Sequence, residues 1–357
     1  MKLYIKFISN TFLKSLSYIF SIMFCLVFIL NFLSELDFFK KIDIDTFFLI
    51  YISFLNSPSL IFEIFPFIFL IATQLCFLNL IKDNQIEIFK YNGLLNIKIL
   101  NILSILAFFL GILIIILFYN FSSNLKKVYL EIKSNYTEDD KYLAVITKNG
   151  LWIKDIVENK IIITNSKKIE NNYLIESFIS IFDSNYNPIK NISSKKIDIK
   201  NNQWIAYDAI IFENDKRSML NMIEINTNFN QKKIQSLFSN LSSLTIPKLL
   251  ELKKNYVSLN YSTTEIDIQI YKLISYPFYL LLITMFSGIV MFKFKKFQST
   301  FFKISIGLFF SVIIYYFNNF FNVLGKTEKI QLHLSIWLPL IILFTANIIM
   351  VRKINEK

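Results

Sequence analysis

His333 is the only histidine among 357 residues. Triad catalysis or an H-E-x-x-H zinc site needs ligands and partners beside the imidazole, and the flanking sequence supplies none. It reads as an interfacial histidine at the end of the last apolar run. The chain has neither G-x-x-x-x-G-K-[ST] nor G-x-G-x-x-G, so it carries no phosphate-binding loop of these types. No ionisable side chain interrupts the long apolar runs, where an ion-coupled transporter usually keeps one. The remaining chemistry is that of docking and binding. In the stretch from Lys82 to Lys98, Asp83 or Asn84 can cap a helix and Gly93 can end it in the left-handed conformation. A helix over 84–92 would carry Gln85, Ile86, Glu87, Phe89 and Lys90, with Ile86, Phe89 and Lys90 on one face. Such a helix suits either a solvated loop or a docking face. Lys40 and Lys41 form an ammonium pair just after an apolar run, fit either to snorkel to headgroups or to meet phosphate. Phe20, Phe24, Phe28 and Phe32 recur every four residues, and Phe309, Phe310, Phe317 and Phe321 repeat the theme late in the chain. They suit either ordinary lipid-facing packing or the lining of an apolar cavity.

The elements that must position these groups are membrane helices. The chain is 54% hydrophobic and only 18% charged, with 39 Phe; a soluble domain has about 25% charged residues. Charge-free windows mark six spans, at 15–34, 64–81, 99–125, 273–292, 304–325 and 330–351. A helix needs roughly 20 apolar residues to cross a hydrocarbon core of about 30 Å. An outer-membrane barrel, with short alternating strands, is excluded. The run 46–62 is also apolar, but Pro58 and Glu63 interrupt it, so it is expected as an interfacial helix leading into the second span. The first run is too long for a signal h-region, and the N-terminus is expected to stay as an anchor. Cys25 and Cys76 lie in apolar runs and are expected as buried thiols; with no Cys in the polar segment, a disulfide framework is excluded.

Basic residues orient the spans. With the N-terminus cytoplasmic, the inner segments hold 13 Lys and Arg, among them Lys2, Lys14, Lys82, Lys98, Lys303 and Arg352, and the short outer loops hold four, Lys40, Lys41, Lys326 and Lys329. Both termini are therefore expected inside. The formal net charge of +12 belongs to orientation and anionic lipid, not to nucleic acid. Segment 126–272, between the third and fourth spans, is extracytoplasmic on this assignment. Its alternating runs, such as Tyr142–Thr147, Leu151–Ile156 and Gln203–Phe212, separated by Asn, Asp and Gly turns, predict about eight antiparallel strands in a sandwich or jelly roll. After residue 245 the pattern turns helical, with Pro247 near a helix start. The expected domains are 1–125, 126–272 and 273–357. The fold class is a six-span α-helical membrane protein, three helices and then three, with an inserted periplasmic antiparallel β-jelly-roll.

Several residues in this order resemble the LptF/LptG (YjgP/YjgQ) lipopolysaccharide-export permease family. Asn84-Gln85-Ile86 through Gly93 is similar to its Ser-Glu-Leu…Gly loop, with Gln85 in place of the acidic residue and Glu87 two residues on. Pro58 and Pro66 match paired prolines, Pro277 an early proline of span four, and Trp337-Leu-Pro339 a motif of span six. Asn149-Gly-Leu-Trp-Ile-Lys-Asp155 resembles a strand more typical of the LptG branch. The resemblance implies a permease half that extracts lipopolysaccharide from the inner membrane and passes it to a periplasmic bridge. It implies as partners an LptF-like permease, an LptB-like ATPase dimer and an LptC-like single-span jelly-roll protein. No cofactor would be bound by this chain, and ATP would be used by the ATPase. The helix 84–92 would be the coupling helix, Lys40 and Lys41 the cavity rim, and Phe28, Phe32, Phe310, Phe317 and Phe321 the cavity. The alternative reading is a membrane-anchored mechanotransmission or regulatory protein working through its β-domain; three spans on each side of that domain argue against it. An intramembrane enzyme is disfavoured by the missing catalytic groups.

Overall fold

The computed structural model describes residues 3–40, 44–134, 136, 151–170, 172–213, 216–231, 234, 240–258, 262–293 and 300–355. It divides into two compact units, Met1–Lys126 with Thr264–Lys357, and Lys127–Thr263.

Among the described residues six helices are long and apolar enough to cross a membrane. Helix α1 is Leu3–Phe38 and α2 is Thr46–Lys82. The short α3, Gln85–Tyr91, leads to α4, Asn96–Leu113. A π-helical segment, Ile114–Tyr119, joins α4 to α5, Asn120–Ser134. After the strands, and still in the second unit, α6 is Ile246–Ser258, with Pro247 at its second residue as expected. Helices α7, Thr264–Lys293, α8, Thr300–Lys326, and α9, Leu332–Asn355, complete the chain.

These helices outrun the charge-free windows. The 37 residues of α2 reach about 55 Å at about 1.5 Å per residue, against a hydrocarbon core of about 30 Å. Charges bound the bilayer-depth part of a helix, not the helix itself. For the same reason the interfacial helix expected over 46–62 is simply the first half of α2, which runs through Pro58, Glu63 and Pro66 unbroken. Glu35, taken as a boundary charge, is buried inside α1. Of the two thiols, Cys76 is buried as expected, but Cys25 is exposed on α1. One core, including Phe12, Phe69, Phe77, Leu100, Ala107 and Ile283, joins α1, α2, α4 and α7.

Close helix crossings depend on missing side chains. A Cβ on Gly111 would lie 2.9 Å from the Pro277 Cα, so α4 crosses α7 at backbone distance. A Cβ on Gly288 of α7 would overlap Leu100 and Phe77.

The second unit contains six described strands, β1 Leu151–Val157, β2 Lys160–Glu170, β3 Tyr173–Phe182, β4 Pro188–Asp198, β5 Gln203–Glu213 and β6 Lys216–Asn226. They form one antiparallel sheet in sequence order. The inserted antiparallel β-domain is as expected. The order of its described strands is up-and-down, where a jelly roll uses Greek-key connections. The strand expected at Tyr142–Thr147, and Asn149 and Gly150, lie outside the described residues. Glu158 and Asn159, both at positive φ (50° and 63°), make the two-residue turn from β1 to β2, a geometry that matches strand twist. Alternation aligns Ile153, Thr164, Ile179, Ile192 and Ile211 in register across five strands on the buried face.

After β6 the chain turns back over that face. The Trp204 indole N–H donates to the Phe229 carbonyl at 2.8 Å. Buried Asp155 accepts from the Asn228 backbone N–H at 2.7 Å and from its side chain at 2.9 Å. The aspartate of the Gly-Leu-Trp motif therefore clamps the segment leaving β6 to β1.

Candidate functional site

Helix α3 begins without the side-chain cap expected of Asp83 or Asn84. Asp83 closes α2, and Asn84 sits in the left-handed region at φ 55° with no capping bond. Gly93, at φ 76°, ends the helix as expected. The Leu94 N–H donates to the Phe89 carbonyl at 2.8 Å and the Gly93 N–H to the Lys90 carbonyl at 2.9 Å, the paired bonds of a Schellman stop. A Cβ at Gly93 would meet nothing within 4 Å, so the requirement there is conformational.

Of the residues expected to serve docking, Ile86 is buried in the core, at 1% exposure. Phe89 is half-buried against that core and meets Phe7 of α1 edge-on at 6.2 Å. Gln85 is half-buried, and Glu87 and Lys90 are exposed. The outward apolar residues are Ile88, 48% exposed, and Tyr91, 91% exposed. Sequence reasoning missed this pair. Ile86 with Phe89 and Ile88 with Tyr91 have the same i, i+3 spacing, and only packing against α1 decides which pair turns inward. An exposed Ile and Tyr flanked by Glu87 and Lys90 fit an apolar pocket with a polar rim on a protein partner.

The apolar flanks lie on α1 and α8. The most apolar window of α8 is 11% buried and that of α1 17%, against 67% for α7. On α1, Phe20 stacks on Phe65 of α2 at 5.8 Å and Phe24 meets Phe54 at 6.3 Å, so half of the four-residue ladder is helix packing. Phe28 and Phe32 are half-buried on the same helix.

Phe310 and Phe317 of α8 line a cavity of about 240 Å³ with Tyr279 and Phe286 of α7 and Leu340 and Leu343 of α9. A dry cavity of about 150 Å³ holds benzene, so this one admits a larger apolar group. Phe321 packs on Phe317 at 4.9 Å. The structure thus places Phe310 and Phe317 on the cavity and Phe321 behind Phe317, while Phe28, Phe32 and Phe321 do not line it.

Lys40 is exposed just beyond α1; Lys41 lies outside the described residues. Further cations gather where the spans lead to and from the β-domain. Lys126 and Lys272 both interact electrostatically with Glu63 of α2. Lys326 is 3.8 Å from Glu265 and also acts on Lys272. Sequence reasoning used Lys126 and Lys272 only as span boundaries and Lys326 only as a boundary and for orientation, although their position at the ends of apolar runs was the signal. His333 lies beside Tyr271, ring centroids 4.7 Å apart.

These features make an apolar flank and cavity, cations at one end of the spans, and a short helix with exposed Ile88 and Tyr91 at the other end of α2. No curated protein sequence matches the chain. The family model described as lipopolysaccharide export system permease LptF/LptG matches residues 6–353, and with almost the full length covered the chain belongs to that family of lipopolysaccharide export permeases.

Proposed function

We propose that this chain is the LptG-type half of an ATP-driven lipopolysaccharide exporter, extracting the lipid from the inner membrane and handing it to a periplasmic bridge. The observation that carries the reading is the uncovered flank of α8 with the Phe310–Phe317 cavity behind it. A multi-acyl lipid needs apolar surface open to the bilayer, and its phosphates need cations at the end of that surface. Lys40, Lys126, Lys272 and Lys326 are of that chemistry, and Lys41 adjoins Lys40 in sequence. A second, LptF-like permease would face the uncovered flanks, an LptC-like protein would contribute its span and β-domain, and LptB-like ATPases would dock on α3. ATP binding falls to those ATPases, since this chain carries no Walker-type loop.

A photoreactive phenylalanine analogue at Phe317 tests the reading in intact cells. It should crosslink lipopolysaccharide, whereas the same analogue at Ile105, exposed on α4, should capture bulk phospholipid. Equal lipopolysaccharide yield at the two positions, or none at Phe317, rejects it.

A further inference from the structure

Three spans carry a helix-perturbing feature around one aromatic stack. In α2 it is Pro66 and in α7 Pro277, each inside a continuous helix. The third is the π segment Ile114–Tyr119 that follows α4. Phe62 of α2 stacks on Tyr276 of α7 at 4.8 Å and 15°, and meets Tyr119 of the π segment at 5.0 Å. Prolines and π segments are the usual sites of helix distortion.

Pro66 has no N–H, so the carbonyl one turn earlier, that of Phe62, lacks its helical donor. In a bilayer such a carbonyl must be satisfied from elsewhere. The Tyr276 hydroxyl donates to it at 2.7 Å.

The two halves of α2 are held by different partners. Before Pro66, Asn31 of α1 donates to the Ser53 carbonyl and accepts from the Asn56 side chain, both at 2.9 Å. After it, Ser287 of α7 donates to the Leu70 carbonyl at 2.8 Å, and Gln74 donates to the Lys303 carbonyl of α8 at 3.2 Å. Helix α3 follows at once. Pro66 therefore lies between a segment whose side-chain bonds go to α1 and one whose side-chain bonds go to α7 and α8, while α1 packs on both, Phe12 meeting Phe69 at 6.1 Å.

We infer that Tyr276 is a positioning residue for transport. Its hydroxyl supplies the donor that Pro66 removes, and so fixes the α1-bound half of α2 to α7 at the weak point of the helix. Displacement at α3 then reaches the first half of α2 through this joint, beside the direct contact of Phe89 with Phe7 of α1. The transport role rests on the permease reading; the latch does not.

Tyr276→Phe keeps the ring stack and deletes the donor, while Pro66→Ala restores a backbone N–H to the Phe62 carbonyl. In the full-length protein in nanodiscs, Tyr276→Phe should lower Tm by about 3 °C, and by no more than about 1 °C in the Pro66→Ala background. An equal fall in both backgrounds, or none, overturns the latch, whatever the permease does. In the assembled transporter, Tyr276→Phe should reduce lipopolysaccharide release about fivefold with ATP hydrolysis unchanged, and the double variant should regain release. Unchanged release in Tyr276→Phe overturns the positioning role. If no ATPase assembles with the wild-type chain, the permease reading fails and the melting comparison still decides the latch.

Discussion

Ile88 and Tyr91 face away from the core that takes Ile86 and Phe89, so the proposed docking role and the folding role of α3 can be tested apart. Ile88→Asp/Tyr91→Asp should leave the chain folded but weaken ATPase capture by about 30-fold or more, since an anchoring side chain at an interface contributes about 2 kcal/mol or more. Phe89→Ala should instead cost the chain about 2 kcal/mol of stability, below the ~3–5 of a fully buried Phe. The two are told apart by co-purification with the ATPase against thermal melting; normal capture by the double Asp variant excludes this face. The Gly93 stop was legible because a left-handed residue after a short amphipathic run leaves few options. The helix start was not, because Asn84 supplies a backbone angle rather than a capping side chain. The Phe310–Phe317–Phe321 grouping was legible from helical spacing. Phe20 and Phe24, with the same spacing, are packing residues, since periodicity gives a face and not what covers it.

At the scale of elements, the crossings of α7 with α4 and α2 depend on what is absent. The obstacle to a side chain at Gly111 is the Pro277 backbone, whereas at Gly288 it is a leucine terminus and a phenylalanine ring. A leucine methyl can rotate aside, but a backbone Cα in a packed helix cannot. Gly111→Ala should therefore cost about 1–3 kcal/mol, the usual range for overpacking, and exceed the cost of Gly288→Ala. Thermal melting in detergent checks the order, and a larger loss at Gly288 contradicts the crossing geometry. Helix positions were legible from charge-free runs because a bilayer forces helices. Their lengths were not, because α2 continues through two prolines, and at Pro66 a bond from another helix replaces the lost one. The Tyr276 hydroxyl serves the Phe62 carbonyl. Such long-range donors leave no mark in a local window. Strand alternation was read correctly, but which strands pair is set by turns such as Glu158–Asn159 and by the clamp of Asp155 on Asn228, contacts 73 residues apart.

At the scale of the molecule, six apolar helices and membership of a permease family make this a multi-pass inner-membrane protein. The direction in which it sits decides whether α3 can meet a cytoplasmic ATPase and whether the β-domain can meet a periplasmic bridge. Basic residues are the physical determinant, because Lys and Arg in short loops resist translocation, and they favour the α3 side by 13 to four. Each of the three spans between the N-terminus and the β-domain reverses direction, so a single inversion would move α3 and the β-domain together. Two positions therefore test the whole arrangement. With Cys25 and Cys76 replaced by Ala, a cysteine at exposed Lys90 should react with a membrane-impermeant maleimide only after the inner membrane is opened. One at exposed Asn201, in the turn between β4 and β5, should react once the outer membrane is made permeable. Reaction of Lys90→Cys in sealed spheroplasts would place α3 outside and remove the ATPase from the mechanism. Reaction of both sites there would mean that the third apolar helix, Asn96–Lys133, the span between them, does not cross.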